Sequence, residues 1–132
     1  MPLRRGAGAE SSISALIAQL VRSGPMAGPP PEPVARLLQA ANEHDTDAFL
    51  ASFTADGVVD DWGREFAGAQ AIRGWSDREF IGVDVALTIT ATTTDGEVTT
   101  VSADVGGSGY NGPSHFIFTV RDELVSRMTI RQ

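Results

Sequence analysis

Few side chains in this sequence can do chemistry. It contains no cysteine and no lysine, all ten basic residues being arginine. That removes disulfides, thiolate nucleophiles, Schiff-base chemistry and a phosphate-cradling lysine. The two histidines, His44 and His115, are too few for a histidine-rich metal site within one chain, and no metal site is expected. Carboxylates remain. Asp60 and Asp61 are adjacent on a segment that reads as extended, Val58-Val59-Asp60-Asp61-Trp62. Neighbouring side chains on such a segment point apart, so the pair does not share a proton. Each either caps the strand end through nearby backbone or serves a pocket alone.

His115 is the candidate histidine acid or base. Alternation along His115–Val120 sets it with Ile117 and Thr119, opposite Phe116, Phe118 and Val120. If the phenylalanines line a pocket, His115 faces outward or toward a dimer mate. His44 falls at the end of the first domain helix, where its cation meets the helix dipole as a C-terminal cap. Asp104 and Arg73 read as an inward carboxylate and a substrate anchor, or as solvated surface. Trp62, Phe66, Trp75, Phe80, Phe116 and Phe118 form either an apolar wall for a flat ligand or simply core. Tyr110 and Asn111 sit in Gly106-Gly107-Ser108-Gly109-Tyr110-Asn111-Gly112-Pro113, either at a pocket mouth or in a plain turn.

The elements that position these residues follow from periodicity. Ser11 or Ser12 caps an amphipathic helix over about 11–22, ended by Ser23-Gly24-Pro25 and followed by a proline-rich linker. This helix is a packing element, a lid or an association device. Pro33 suits a first helical turn, and Val34, Leu37, Leu38 and Ala41 form a helical stripe. Asp45 or Thr46 caps a second short helix through Phe53, Ala55-Asp56-Gly57 is a turn, and Gly68 opens a third helix burying Ala71, Ile72 and Trp75. From Val83 the period becomes two, with a hairpin at Asp95-Gly96 into Glu97–Val105. The glycine-rich connection reads as long and flexible. A second hairpin joins His115–Val120 to Leu124–Ile130. Three helices followed by four antiparallel strands predict an α+β fold, a curved sheet wrapped around a helix.

The 132 residues suffice for one domain, and 42% hydrophobic with 20% charged is a globular balance. Residues 1–32 read as an N-terminal extension and 33–132 as the domain. A start at Met26 would leave only the domain. The formal charge of −7 is uneven: residues 1–31 carry +2 and residues 32–132 carry −9. An acidic domain opposes nucleic-acid binding, which draws on cations against phosphate. No run approaches the roughly 20 apolar residues of a membrane span. The apolar run Ile13–Val21 is short, is separated from Arg4 and Arg5, and has no clean cleavage site after it, so the expected location is cytoplasmic.

The order of these elements, with Ala35-Arg36-Leu37-Leu38, His44-Asp45-Thr46-Asp47-Ala48, Phe53-Thr54-Ala55-Asp56-Gly57-Val58-Val59-Asp60-Asp61, Phe66-Ala67-Gly68 and Ala71-Ile72-Arg73-Gly74-Trp75, resembles the nuclear transport factor 2-like superfamily in its SnoaL-like and ketosteroid isomerase-like branch. Phe116–Val120, Arg121-Asp122 and Val125–Met128 resemble its closing hairpin. The resemblance covers residues 33–132. It implies a cone-shaped sheet, as in a cystatin-like roll, opening into an apolar pocket, and a homodimer through the sheet. It also implies that Asp61 is the general base. Aspartate suits that role because an apolar pocket raises a carboxyl's affinity for a proton. Related cyclases and dehydratases use a histidine or aspartate from the strands that hold His115. The isomerase branch places an oxyanion-donating tyrosine where this chain has Leu37, and a second donor near Phe116. Losing each donor costs about 10²–10³ in rate, which argues against steroid isomerisation by that route. The fold hosts isomerases, cyclases, dehydratases, epoxide hydrolases and non-enzymes. Two functions are therefore carried forward. One is a cofactor-independent enzyme on a hydrophobic carbonyl or polyketide-like molecule, with Asp61 and His115 as candidate catalytic residues. Leu37, Trp62, Phe66, Trp75, Phe116, Phe118 and Tyr110 would then bind substrate. The other is a non-catalytic domain holding an apolar ligand or a protein partner.

Overall fold

A computed structural model describes residues 26–132, so the amphipathic segment over 11–22 lies outside the described residues. The elements in chain order are strand β1 (Met26–Ala27), helices α1 (Glu32–Asn42) and α2 (Thr46–Ala51), strands β2 (Phe53–Asp61) and β3 (Arg64–Ala67), and helix α3 (Ala69–Glu79). A 3₁₀ turn (Ile81–Val83) leads into β4 (Ala86–Asp95), β5 (Val98–Gly106), β6 (Gly112–Arg121) and β7 (Leu124–Arg131). The strands form one sheet in the order β1-β4-β5-β6-β7-β2-β3. The fold is α+β, with three helices among the described residues set against a curved, open sheet.

Helix α1 forms as its stripe predicts. Pro33 sits in the first turn, and Val34, Leu37, Leu38, Ala40 and Ala41 are buried. Its end differs from the expected histidine cap. His44 takes a left-handed φ of 57°, and the His44 and Asp45 N–H groups donate to Ala41 and Ala40 O. This is a Schellman closure built by backbone. The His44 ring instead reaches the Val85 carbonyl, 2.9 Å from Nε2. Asp45 then caps α2, accepting from the Ala48 N–H at 3.1 Å, and α2 buries Phe49. Asn42 locks α1 to the sheet edge: its amide donates to Leu87 O at 3.0 Å and accepts from Leu87 N at 2.7 Å. Such pairing satisfies backbone groups that an edge strand leaves open.

The sheet departs from the expected four antiparallel strands in three ways. Strand β2 runs through Ala55-Asp56-Gly57, absorbing the expected turn as a register shift between Phe53 and Val58. It pairs parallel with β7, the one parallel pair among the described strands, and antiparallel with β3 across Trp62-Gly63. Polar, glycine-containing sequence hides the alternation of both strands. The later strand also begins at Ala86 rather than Val83. Val83 lies in the 3₁₀ turn, Asp84 has a φ of 56°, and a Cβ at Gly82 would overlap Asp77 O at 1.7 Å. That close approach turns the chain after α3. The glycine-rich connection is tied down: Ser108 N–H donates to Val83 O, and the Asn111 amide donates to Gly107 and Gly109 O.

The helices cover one sheet face, where Val59, Val101, Phe116, Phe118, Val125 and Met128 are almost fully buried. On the other face lie Thr100, Ser102, His115, Ile117, Thr119 and Arg127, as strand alternation requires.

Candidate functional site

At the end of β2, alternation sends Asp60 and Asp61 to opposite faces, as expected for neighbours on a strand. Asp60 is buried on the face away from the helices. Its carboxylate accepts from Arg127, from both Nη atoms of Arg131, and from the Gly63 N–H of the β2–β3 turn at 2.7 Å. Arg131 is the largest cause holding the Asp60 carboxyl down to about 2, against a burial effect that opposes it. Asp60 is thus a structural clamp. Arg127 also reaches Glu65, which lies directly opposite Asp60 on β3 and would otherwise repel it.

Asp61 faces α3 and lines a cavity of about 360 Å³. Its side chain is 15% exposed. Oδ2 accepts the indole N–H of Trp75 at 3.0 Å and a bond from Arg64 Nη2. Oδ1 accepts no hydrogen bond among the described residues. Trp75 is held by packing, its ring stacked on Phe80 with centroids 4.9 Å apart and tilted against Phe66 at 6.1 Å. Arg64 grips both carboxylates of the rim, meeting Glu79 with a two-pronged pair at 2.7 and 3.0 Å. That pairing is the largest cause holding the Glu79 carboxyl below its ordinary value and the Arg64 guanidinium above its own. The opening carries two exposed aromatics, Trp62 at 58% and Tyr110 at 51% exposure. Trp62 and Gly63 both have positive φ, 55° and 89°, in the tight turn that brings Arg64 back toward Asp61.

Of the residues singled out from sequence, Asp61, Trp62, Trp75, Phe80, Phe116 and Tyr110 line this cavity. Leu37 and Phe118 do not; both have zero exposure and fill the core. Phe66 packs beside Trp75 without joining the lining. His115 is on the opposite sheet face, its Nδ1 2.9 Å from Ser102 Oγ, and is not brought together with Asp61. Arg73 pairs with Asp47 at 2.9 Å, and Asp104 is exposed. Sequence reasoning missed Arg64, Arg78 and Glu79. The cue for Arg64 is Trp62-Gly63, a two-residue turn that folds the chain back after Asp61. Nothing local pairs Arg64 with Glu79, fifteen residues away.

No group of three or more histidine, aspartate or glutamate residues could hold a metal among the described residues. No described helix is long and apolar enough to cross a membrane. The site therefore offers a carboxylate anchored through one oxygen, set in an apolar wall of Trp75, Phe80 and Phe116 and rimmed by ion-paired groups.

Solved structures share this architecture. A provisionally assigned polyketide cyclase from Sinorhizobium meliloti is 28% identical, with a TM-score of 0.69 over 77% of this chain and 95% of that one. A protein of ketosteroid isomerase-like fold from Catenulispora acidiphila is 24% identical, with a TM-score of 0.67 over 79% and 87%. The epoxide hydrolase/cyclase-like enzyme SalBIII of pyran-ring formation in salinomycin is 19% identical, with a TM-score of 0.67 over 76% and 87%. No curated protein matches the sequence. The SnoaL-like domain model matches residues 34–128, and with this fold the chain belongs to the SnoaL-like family of the nuclear transport factor 2-like superfamily.

Proposed function

We propose that the cavity binds a compact apolar molecule bearing a carbonyl group and that Asp61 removes a proton from the carbon beside that carbonyl. The C–H bond breaks, its proton passes to Asp61, and its electron pair delocalises onto the carbonyl oxygen as an enolate. Return of the proton to another carbon completes an isomerisation; attack by the enolate carbon on an electrophile of the same molecule completes a cyclisation. The observation that carries this reading is the asymmetric tethering of Asp61. Trp75 and Arg64 fix Oδ2 at the wall of an apolar cavity, while Oδ1 accepts no bond among the described residues and is open to a proton. A positioned base of this kind contributes roughly 10²–10⁴ in rate. The likeness to the provisionally assigned polyketide cyclase from Sinorhizobium meliloti supports the cyclisation outcome.

A second reading, binding without turnover, is favoured by one feature of the same site. Three hydroxyl and indole donors of the lining that could stabilise an enolate oxygen are engaged: the Trp75 N–H by Asp61, the Ser114 hydroxyl by Arg131 O, and the Tyr110 hydroxyl by Pro113 O. One experiment separates the two. The compact bicyclic ketone 2-tetralone is incubated with the protein in D₂O, and loss of its α-proton signals is followed by NMR. Wild type accelerates exchange over the buffer blank, while Asp61→Asn binds the ketone and leaves exchange at the blank rate. Asparagine keeps an oxygen to accept the Trp75 N–H, so ligand-induced shifts of the tryptophan signals report an intact cavity. Equal exchange rates in wild type and variant remove Asp61 as base; binding at the blank rate by both leaves the second reading.

A further inference from the structure

We propose that the ligand of this cavity is an amphiphilic acid, its apolar ring system lying against Trp75, Phe80 and Phe116 and its carboxylate held at the mouth by Arg78. The inference rests on the reading of the cavity as a ligand site and adds the ligand's charge.

Seven arginines lie within residues 26–132, and six of them form salt bridges: Arg36, Arg64, Arg73, Arg121, Arg127 and Arg131. Arg78 forms none among the described residues, and it lines the cavity. The rim carboxylates do not bond it: Arg64 takes both Glu79 oxygens and Asp61 Oδ2, and Arg78 acts on Glu79 only through its charge, leaving its N–H fork free of a protein partner among the described residues. Sequence one turn earlier supplies a second observation. Gly74 stands in the interior of α3, where glycine costs about 0.5–1 kcal/mol relative to alanine. A Cβ at Gly74 would lie 3.1 Å from Arg78 Nη1, so the guanidinium lies back along the helix over the space that glycine leaves. Arg78 also sits in the last turn of α3, where a cation favours the helix dipole. That role needs neither the cavity nor the glycine clearance. A guanidinium presents a planar fork that matches a carboxylate, and at the edge of an apolar wall it picks out acids from neutral molecules of the same shape. The acidic remainder of the chain does not forbid this, because charges beyond about 8 Å are largely screened at physiological salt.

The test is calorimetric titration of the full chain with 2-naphthoate and with its neutral counterpart 2-naphthamide. Wild type binds the acid on the order of tenfold more tightly than the amide, the effect of one charge-assisted pair at a half-open site. Arg78→Gln binds the two probes equally and keeps the wild-type affinity for the amide; Arg78→Lys keeps part of the preference. Equal affinities in wild type, or a preference that survives Arg78→Gln, overturn the assignment while leaving the cavity a ligand site. Failure of wild type to bind either probe overturns the assignment together with the reading of the cavity on which it rests.

Discussion

Replacing Asp60 with asparagine tests the claim that this carboxylate clamps the β2–β7 junction. Asp60 lies opposite Thr129 in the parallel ladder, and Arg127 and Arg131 flank Thr129 two residues away on the same face. One carboxylate therefore ties both arginines and, through the Gly63 N–H, the turn that delivers Arg64 to the site. A carboxyl drawn from 3.8 to about 2 stabilises the fold at neutral pH by roughly 2 kcal/mol, at about 1.4 kcal/mol per pH unit. Losing one partner of a fully buried pair costs about 3–5 kcal/mol. Here the arginine side chains are 38% and 40% exposed, so they rehydrate, and the smaller figure governs.

The sign sets the pH dependence. The folded-state value is depressed, so the stabilisation is complete above about pH 5, shrinks as pH falls from the unfolded toward the folded value, and is nearly gone by about pH 2. Urea unfolding followed by tryptophan fluorescence, which avoids the screening that guanidinium would add, measures the gap between wild type and Asp60→Asn at pH 7, 5, 4 and 3. We expect about 2 kcal/mol at pH 7 and 5 and about half of it at pH 3. Packing changes from the amide are independent of pH and shift every point alike. A gap below 0.5 kcal/mol at pH 7, or one unchanged down to pH 3, would refute the clamp.

Gly74→Ala is expected to raise stability by roughly 0.5–1 kcal/mol, read as an increase in Tm, since its φ is not left-handed and only the flexible tip of Arg78 stands in the way. Leu37→Ala should cost about 2–5 kcal/mol in urea unfolding, because Leu37 has no exposure in the core. It should leave naphthamide affinity unchanged in the folded fraction, since Leu37 is not part of the cavity lining.

What was legible from sequence is what periodicity carries. The stripe of α1, the stop at His44-Asp45, the glycine before α3 and the two late hairpins all rest on local patterns, and each appears where its pattern lies. Strands β2 and β3 were largely hidden, because Asp56, Gly57 and the acidic pair read as turn chemistry while their alternation depends on partners in β7 that are distant in sequence. The site divides along the same line. Phe116 and Phe118 share one face of β6, yet Phe116 lines the cavity and Phe118 is sealed in the core, a difference alternation alone does not carry. Asp60 and Asp61 show the limit most directly. Composition and spacing give both the same chemistry, and alternation says only that they part. Which one meets two arginines and which meets an indole and a cavity follows from β2 lying parallel beside β7, with α3 packed across its other face. Asp60, itself held by Arg127 and Arg131, fixes the turn that carries Arg64 through the Gly63 N–H, and Arg64 fixes Asp61. The structural carboxylate is therefore the condition for the chemical one, and its removal should loosen the tether on Asp61 without touching the cavity wall.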